Sequence, residues 1–380
     1  MDCTHAQVHC SIINDTNRQW KPPIKYRAES NLYVSYIKGA ISEIEKRTCI
    51  TFQEDAKLNY NQRGIIFKWG NDKTNCKSKR IGREEQDNVA NIIYLYWPCQ
   101  YVLPFIQSLI FETLGVYPQQ TRSDRDGYVN IKFNNIKPEY KEVYFEFNPP
   151  TNTSNYDTHY DYGSITQYWP KSYSKNNDYT IEAKGDHSVR YQRMMGQKVV
   201  VTSSDYRLLY RQFCNDTCKA ETSADCQNNG YPNPKKCEEC ICPYPYTGRV
   251  CTEIMKGDAS YCPHRRVIVQ TTFVNASIYG WKTCYILIEA QNNMKVQLVI
   301  REQYMTKFDV CTRDYSMVEV KYKADKGVMG LCFCGYTNKE ESIISESNST
   351  VLIYHGYYRG DYVKFAYKAV PSPVRISNSN

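Results

Sequence analysis

Seventeen cysteines in 380 residues constrain this chain more than any other feature. That is too many for a reducing compartment unless they serve a metal, so an oxidising compartment and a disulfide framework are expected. Five Asn-x-Ser/Thr sequons, at Asn14, Asn152, Asn215, Asn275 and Asn348, point the same way. The length allows two or three domains with real cores. No apolar run approaches the ~18–20 residues needed to cross a bilayer. The opening Met-Asp-Cys-Thr-His lacks a charged n-region and an apolar stretch, so it does not read as a signal peptide. The expectation is a secreted, extracellular glycoprotein.

Residues 108–118 read Ser-Leu-Ile-Phe-Glu-Thr-Leu-Gly-Val-Tyr-Pro, and Gln119-Gln120-Thr121-Arg122-Ser123-Asp124-Arg125-Asp126 follow. The run resembles the astacin form of the metzincin motif H-E-x-x-H-x-x-G-x-x-H with its trailing E-Q-x-R-x-D-R-D. Gly115 sets the register. The three histidine positions then fall on Ser108, Glu112 and Pro118, and the general-base glutamate on Leu109. Catalytic zinc needs three protein ligands and an open position for water. Glu112 alone could ligate well; Ser108 is a poor ligand, Pro118 has no donor atom, and Leu109 cannot take a proton. A second stretch, Ser164-Ile165-Thr166-Gln167-Tyr168 after Tyr160-Asp161-Tyr162-Gly163, resembles the family's methionine turn S-I-M-H-Y. Its methionine has become Thr166, and the tyrosine that reaches the metal remains as Tyr168. The acidic residue that anchors the mature N-terminus in the family is Gln119 here.

The resemblance continues to the C-terminus. Cys218, Cys226, Cys237, Cys240, Cys242 and Cys251, with Asn229-Gly230-Tyr231 between them, resemble an EGF-like module. From Cys262 the chain resembles a CUB domain, with Cys284, Cys311 and the close pair Cys332 and Cys334. The order is that of nematode-type astacins. It implies an α+β metzincin-like domain over 21–214 after an extension at 1–20, an EGF-like module over 215–256, an all-β CUB sandwich over 257–372 and a tail at 373–380. The resemblance further implies bridges Cys49–Cys214 and Cys76–Cys99, three within the EGF-like module, Cys262–Cys284, and Cys311 with Cys332 or Cys334. Cys3 and Cys10 fall outside the pattern and are free to pair with each other.

Other chemistries find little support. The net charge of +8 is spread along the chain, which argues against nucleic-acid binding. His5 and His9 with Cys3 and Cys10 could form a four-ligand site, but a Cys3–Cys10 bridge is the simpler reading. Calcium is not expected, since Asp314 is out of phase with the CUB calcium aspartate, whose position falls near Ser316. Thirty-five tyrosines suit either half-buried strand positions or contact surfaces.

Apolar residues at Leu32, Tyr36, Ile37, Ala40, Ile41 and Ile44 predict a helix over 29–47. Residues 64–69 and 91–97 read as strands, 103–115 as the helix carrying the altered motif, and Tyr206–Phe213 as a helix capped by Ser203-Ser204-Asp205. The family's substrate-pairing edge strand is expected near 91–97. Together these features imply an inactive homologue with no cofactor, which binds an extracellular protein or glycoprotein through the vacated cleft, the CUB domain or both. The alternatives are a zinc endopeptidase with a rebuilt site using Glu112 and Tyr168, or a structural matrix component.

Overall fold

The computed structural model describes residues 11–15, 18–70, 76–145, 153–156, 158–258, 262–307, 310–313 and 315–372. The Cys3–Cys10 bridge, the His5/His9 site, the Asn152 sequon, Asp314 and the tail 373–380 lie outside the described residues.

Branched and aromatic runs build the N-terminal sheet, ordered Phe52–Glu54, Ile24–Ala28, Ile65–Trp69, Asn91–Leu95, Lys77–Ser78. The first four strands are parallel and the last is antiparallel. Helix Val34–Arg47 buries Ile37, Ala40, Ile41 and Ile44, and packs with helix Leu103–Leu114 into one core with this sheet. The strand expected at 91–97 is therefore not an edge. Asn91–Leu95 pairs on both sides, as its apolar content requires; among the described residues the sheet's edges are Phe52–Glu54 and the short polar strand Lys77–Ser78.

Residues 11–15 and 18–20, expected as part of an extension, pack against the first domain. Ile12 and Ile13 pair with Ser154 and Thr153, Ile12 is fully buried, and the Trp20 indole donates to the Thr113 carbonyl at 2.8 Å. The last helix is Ser203–Phe213, capped one residue earlier than its sequence suggested. Thr202 and Asp205 form a capping box that ties up two otherwise unpaired amides. Cys49–Cys214 joins its end to the end of the first helix.

Two hairpins follow, Tyr231–Asn233 with Lys236–Ile241 and Tyr246–Thr247 with Glu253–Ile254. They are cross-linked by Cys218–Cys237, Cys226–Cys240 and Cys242–Cys251. The C-terminal domain stacks two antiparallel-rich sheets. One runs Arg266–Val269, Lys282–Ala290, Ser349–Gly356, Met317–Lys321, Leu331–Phe333; the other runs Val274–Tyr279, Tyr362–Val370, Lys295–Met305, Gly335–Thr337. Cys262–Cys284 and Cys311–Cys334 cross-link it, as Cys76–Cys99 does the first domain. Of the two partners left open for Cys311, Cys334 makes the bridge, and Cys332 is a buried free thiol. It sits within its strand opposite Glu319, whereas Cys334 lies past the strand end, where the turn at Gly335 (φ 79°) begins and Cys311 is within reach.

The C-terminal domain is keyed into the first by residues 322–330. Lys323 Nζ lies 5.4–5.8 Å from the ring centroids of Tyr128, Tyr162 and Tyr191, a tyrosine cage of the cation–π type. Asp325 pairs with Arg207 on the last helix, and the Met329 amide donates to Asp161 at 3.2 Å. A side chain at Gly163 would collide with Met329.

Candidate functional site

Helix Leu103–Leu114 starts with proline in its first turn, where no amide partner is lost, and ends at Gly115 with φ 106°. Four-residue spacing puts Ser108 and Glu112 on one face, beneath the strand Lys77–Ser78. Both line a cleft of about 610 Å³, with Leu109, Phe105, Tyr117, Tyr144, Tyr168, Tyr173 and Lys198. Pro118 is buried just beyond it, with its carbonyl capturing the amide and hydroxyl of Thr121.

The signature residues that match the family hold the scaffold together. Arg122, 1 % exposed, forks onto Asp124 with two 2.8 Å bonds and reaches Ser11 and the Thr158 carbonyl. Arg125 donates to the Gln120 carbonyl, and Gln120 accepts from the Tyr168 amide. Asp161 accepts from Ser204 and the amides of Gly163 and Met329. Asp205 accepts from Ser164 and the Ile165 amide. Thr166, where the family has methionine, is buried and shares a 3.0 Å hydroxyl contact with Ser164.

Lys198 enters the cleft beside Glu112, a neighbour that no sequence pattern announces. Its segment leaves a turn at Gly196 (φ 82°), which is pressed against Trp169. Lys198 Nζ donates to the Ile165 carbonyl. Burial raises the Glu112 carboxyl above the usual range, although the Lys198 charge opposes it, and burial lowers the Lys198 ammonium while Glu112 opposes that. Tyr144, Tyr168 and Tyr173 are raised by burial and by Glu112, so they remain hydroxyl donors at neutral pH. Tyr144 and Tyr173 stack at 4.9 Å, and Tyr168 lies 6.0 Å from both. Tyr173 holds φ 58°, a strained conformation for a residue with a side chain.

Metal chemistry can be tested against these donors. The Ser108 hydroxyl already donates to the Phe105 carbonyl at 2.7 Å, Pro118 has no donor, and a lysine cation stands beside Glu112. Among the described histidines, 159, 187, 264 and 355, none lines the cleft. Nor do the described residues contain a cluster of three His, Cys, Asp or Glu side chains placed to hold a metal. The set does not fit the three-ligand zinc centre of a hydrolase. Among the described residues, Glu112 is the one carboxylate in the cleft lining, with no nucleophile–base pair around it.

What the cleft offers is an open strand edge. The Lys79 amide bonds to the Ile92 carbonyl at 2.9 Å, and Lys77 and Ser78 face Tyr94 and Ile93. Alternation along an antiparallel pair then turns the Ser78 amide and carbonyl away from the sheet, toward the cleft.

A mixed sheet with an antiparallel edge over a cleft, a glycine-ended helix beneath it and a tight turn at 160–168 define the framework of a metzincin-type peptidase domain. The chain belongs to the astacin peptidase family, which matches residues 12–214, and residues 267–368 match the CUB domain. It is similar to the zinc metalloproteinase dpy-31 of Teladorsagia circumcincta, 27% identical over 372 residues, covering 93% of this chain and 58% of that protein. The dpy-31 protein of Caenorhabditis elegans is 26% identical over 373 residues, covering 93% and 60%. The chain thus spans about three fifths of the length of these relatives. Among solved structures, high choriolytic enzyme 1, a hatching enzyme zinc-protease of the medaka Oryzias latipes, is 25% identical with a TM-score of 0.42, covering 56% of this chain and 98% of that one.

Proposed function

We propose that this chain is a secreted, catalytically inactive astacin homologue that works by binding. Its astacin-like domain ends at residue 214, an EGF-like module occupies 215–256 and a CUB domain 257–372. One observation carries the reading: Ser108, Leu109 and Pro118 stand where two metal ligands and the base belong, and at the fourth position Glu112 faces the Lys198 ammonium. That cation, near enough to oppose the upward shift of Glu112, disfavours a bound metal ion there by repulsion.

The cleft keeps the means to hold an extended peptide. The outward amide and carbonyl of Ser78 can add a strand to the sheet edge, which supplies affinity without regard to sequence. Specificity then rests on the tyrosine wall of Tyr144, Tyr168 and Tyr173 and on an apolar floor at Leu109. A chain that retains the groove without hydrolysis would hold extracellular peptides or glycoproteins of the kind an active relative cleaves.

Metal content tests the first half. Protein purified without added metal should carry far less than one equivalent of zinc and should not cleave denatured collagen. One equivalent of tightly held zinc with chelator-sensitive cleavage would refute inactivity. A peptide display selection on the full chain tests the second half. Ser78→Pro, which removes the outward amide and the hydroxyl contacts to Thr113 and Arg80, should abolish binding of the selected peptides, whereas Ser78→Ala, which loses only those contacts, should retain it. The intact chain is required, because Lys323, Asp325 and Met329 bury contacts that isolated domains would lose.

A further inference from the structure

Four tyrosines stand opposite one another on four neighbouring strands of the outer CUB-domain sheet. The register pairs Tyr279 with Tyr362, Tyr362 with Tyr304 and Tyr304 with Tyr336. Successive ring centroids are 5.8, 6.3 and 6.4 Å apart. Cross-strand aromatic pairs stabilise a sheet by roughly 0.2–1 kcal/mol each, which accounts for the pairing. It does not account for the water-facing rings: Tyr279, Tyr304 and Tyr336 are 51%, 49% and 59% exposed. A continuous aromatic stripe of this kind usually has an occupant.

The same face carries a modification sequence. Strand alternation places Asn275 and Ser277 on the side of Tyr279, with Ile278 buried on the other. Asn275-Ala276-Ser277 is a sequon, and Asn275 is exposed. A shallow groove of about 290 Å³, lined by Asn275, Ser277, Tyr279, Arg301 and Lys364, leads from the asparagine to the first ring. Four residues of strand separate the two, about 14 Å. The asparagine side chain and the first few sugars of an attached chain span that distance. Pyranose rings offer a C–H face to aromatic faces and hydroxyls to the Lys364–Glu302 pair beside Tyr362.

We propose that Asn275 carries an N-linked oligosaccharide which lies along this groove onto the Tyr279–Tyr362–Tyr304–Tyr336 ladder. The bond forms between Asn275 Nδ2 and the anomeric carbon of an oligosaccharide carried on a lipid diphosphate. The sugar–phosphate bond breaks, the diphosphate leaves and the amide loses one proton. The outer face of the CUB domain is then covered by the chain's own glycan, which directs partner binding to other surfaces. This inference stands apart from the cleft reading and survives if that reading fails.

The test uses the full chain secreted from eukaryotic cells. Peptide mass spectrometry establishes occupancy at Asn275. Nitration rates of Tyr279, Tyr304 and Tyr336 are then compared before and after enzymatic deglycosylation, and in Asn275→Gln and Ser277→Ala. Several-fold faster nitration of the ladder in all three glycan-free forms, with Tyr60 of the first domain unchanged, is the expected result. An unmodified Asn275, or equal rates with and without the glycan, overturns the proposal. So does protection that persists in both variants, which would assign the stripe to a second copy or another partner.

Discussion

Arg207 and Asp325 form a buried ion pair that ties the CUB domain to the last helix of the first domain. Arg207 Nη1 lies 3.1 Å from Asp325 Oδ1, Nη2 meets Oδ2, and the side chains are 5% and 2% exposed. Nη1 also donates to the Asn229 carbonyl in the disulfide-rich module, so one guanidinium joins three modules. Removing one partner of such a pair strands the other charge in a dry interface, at about 3–5 kcal/mol. Replacing both by apolar residues of similar volume removes both charges and should cost far less. Asp325→Leu and Arg207→Met should therefore each accelerate unfolding strongly, and the double variant should recover at least about 2 kcal/mol of the summed loss.

A multidomain, multiply bridged chain does not unfold in two states, so unfolding rates in denaturant with bridges intact are the proper readout. Limited proteolysis at 322–330 would report release of the keyed segment. The pair also fixes a pH dependence. Burial works to raise the Asp325 carboxyl, but the Arg207 charge, its hydrogen bonds and the Gly327 amide outweigh it and hold the group below its ordinary value. A depressed folded value contributes stability above the unfolded value of about 3.9, and that contribution is lost as pH falls further. Asp325→Asn should show a shallower acid loss than the parent. Additivity of the single variants within about 0.5 kcal/mol, with an unchanged acid limb, would refute the interlock.

Opening the Cys311–Cys334 bridge by Cys334→Ser should destabilise by about 3 kcal/mol for its loop length, whereas Cys332→Ala should cost about 1 kcal/mol. Thermal melts and disulfide mapping check this, and a Cys311–Cys332 peptide would overturn it. His355, bonded to Tyr244 at 2.8 Å and Thr283 at 3.2 Å, is pushed down to about 4 by burial and the Arg313 charge. Its contribution is full above the unfolded value of about 6.5 and is lost as pH falls toward 4, so an NMR titration centred near 6.5 would contradict this environment. Glu112, raised by burial, contributes most below the unfolded carboxylate value of about 4.3 and loses that contribution as pH rises toward neutrality. The stability difference between parent and Glu112→Gln should drift across that window in unfolding assays, and a constant difference would count against the buried position.

The sequence made the positions of the altered motif readable because Gly115 must sit at a helix end with positive φ, which fixes every neighbour by counting. Apolar periodicity likewise located the first helix, although it starts at Val34 and not at residue 29, where Glu29 bonds the strand Ile65–Trp69 instead. The edge strand was not readable, since Lys77–Ser78 is two polar residues with no pattern, while the apolar Asn91–Leu95 run marks an interior strand. Lys198 was missed for a related reason. A single lysine before Val199-Val200-Val201 carries no local signal, and its place in the cleft follows from the Gly196 turn and Trp169. Cys332 and Cys334 share a side by alternation, so only the strand end tells them apart. The tyrosine cage around Lys323 depends on two domains meeting, which neither periodicity nor spacing encodes.

The persistence of signature residues is weak support for function, because scaffold and chemistry are physically separate here. Arg122, Arg125, Asp161 and Asp205 are satisfied inward, by carbonyls, hydroxyls and each other's loops. Ser108, Leu109 and Glu112 face the cleft, so exchanging them leaves that lattice untouched. The fold therefore explains the surviving residues without any ligand. The cleft is a different matter. A folding requirement alone would let it close with larger apolar side chains, yet about 610 Å³ stays open. Its wall includes Tyr173 at φ 58°, a conformation that costs about 1–3 kcal/mol. Glu112 and Lys198 bring two half-buried charges into the same cleft, where well-packed apolar residues would often match or better them in stability. Three features that each lower stability converge on one cavity beside an unpaired strand edge, and that concentration, more than the signature, supports a binding role.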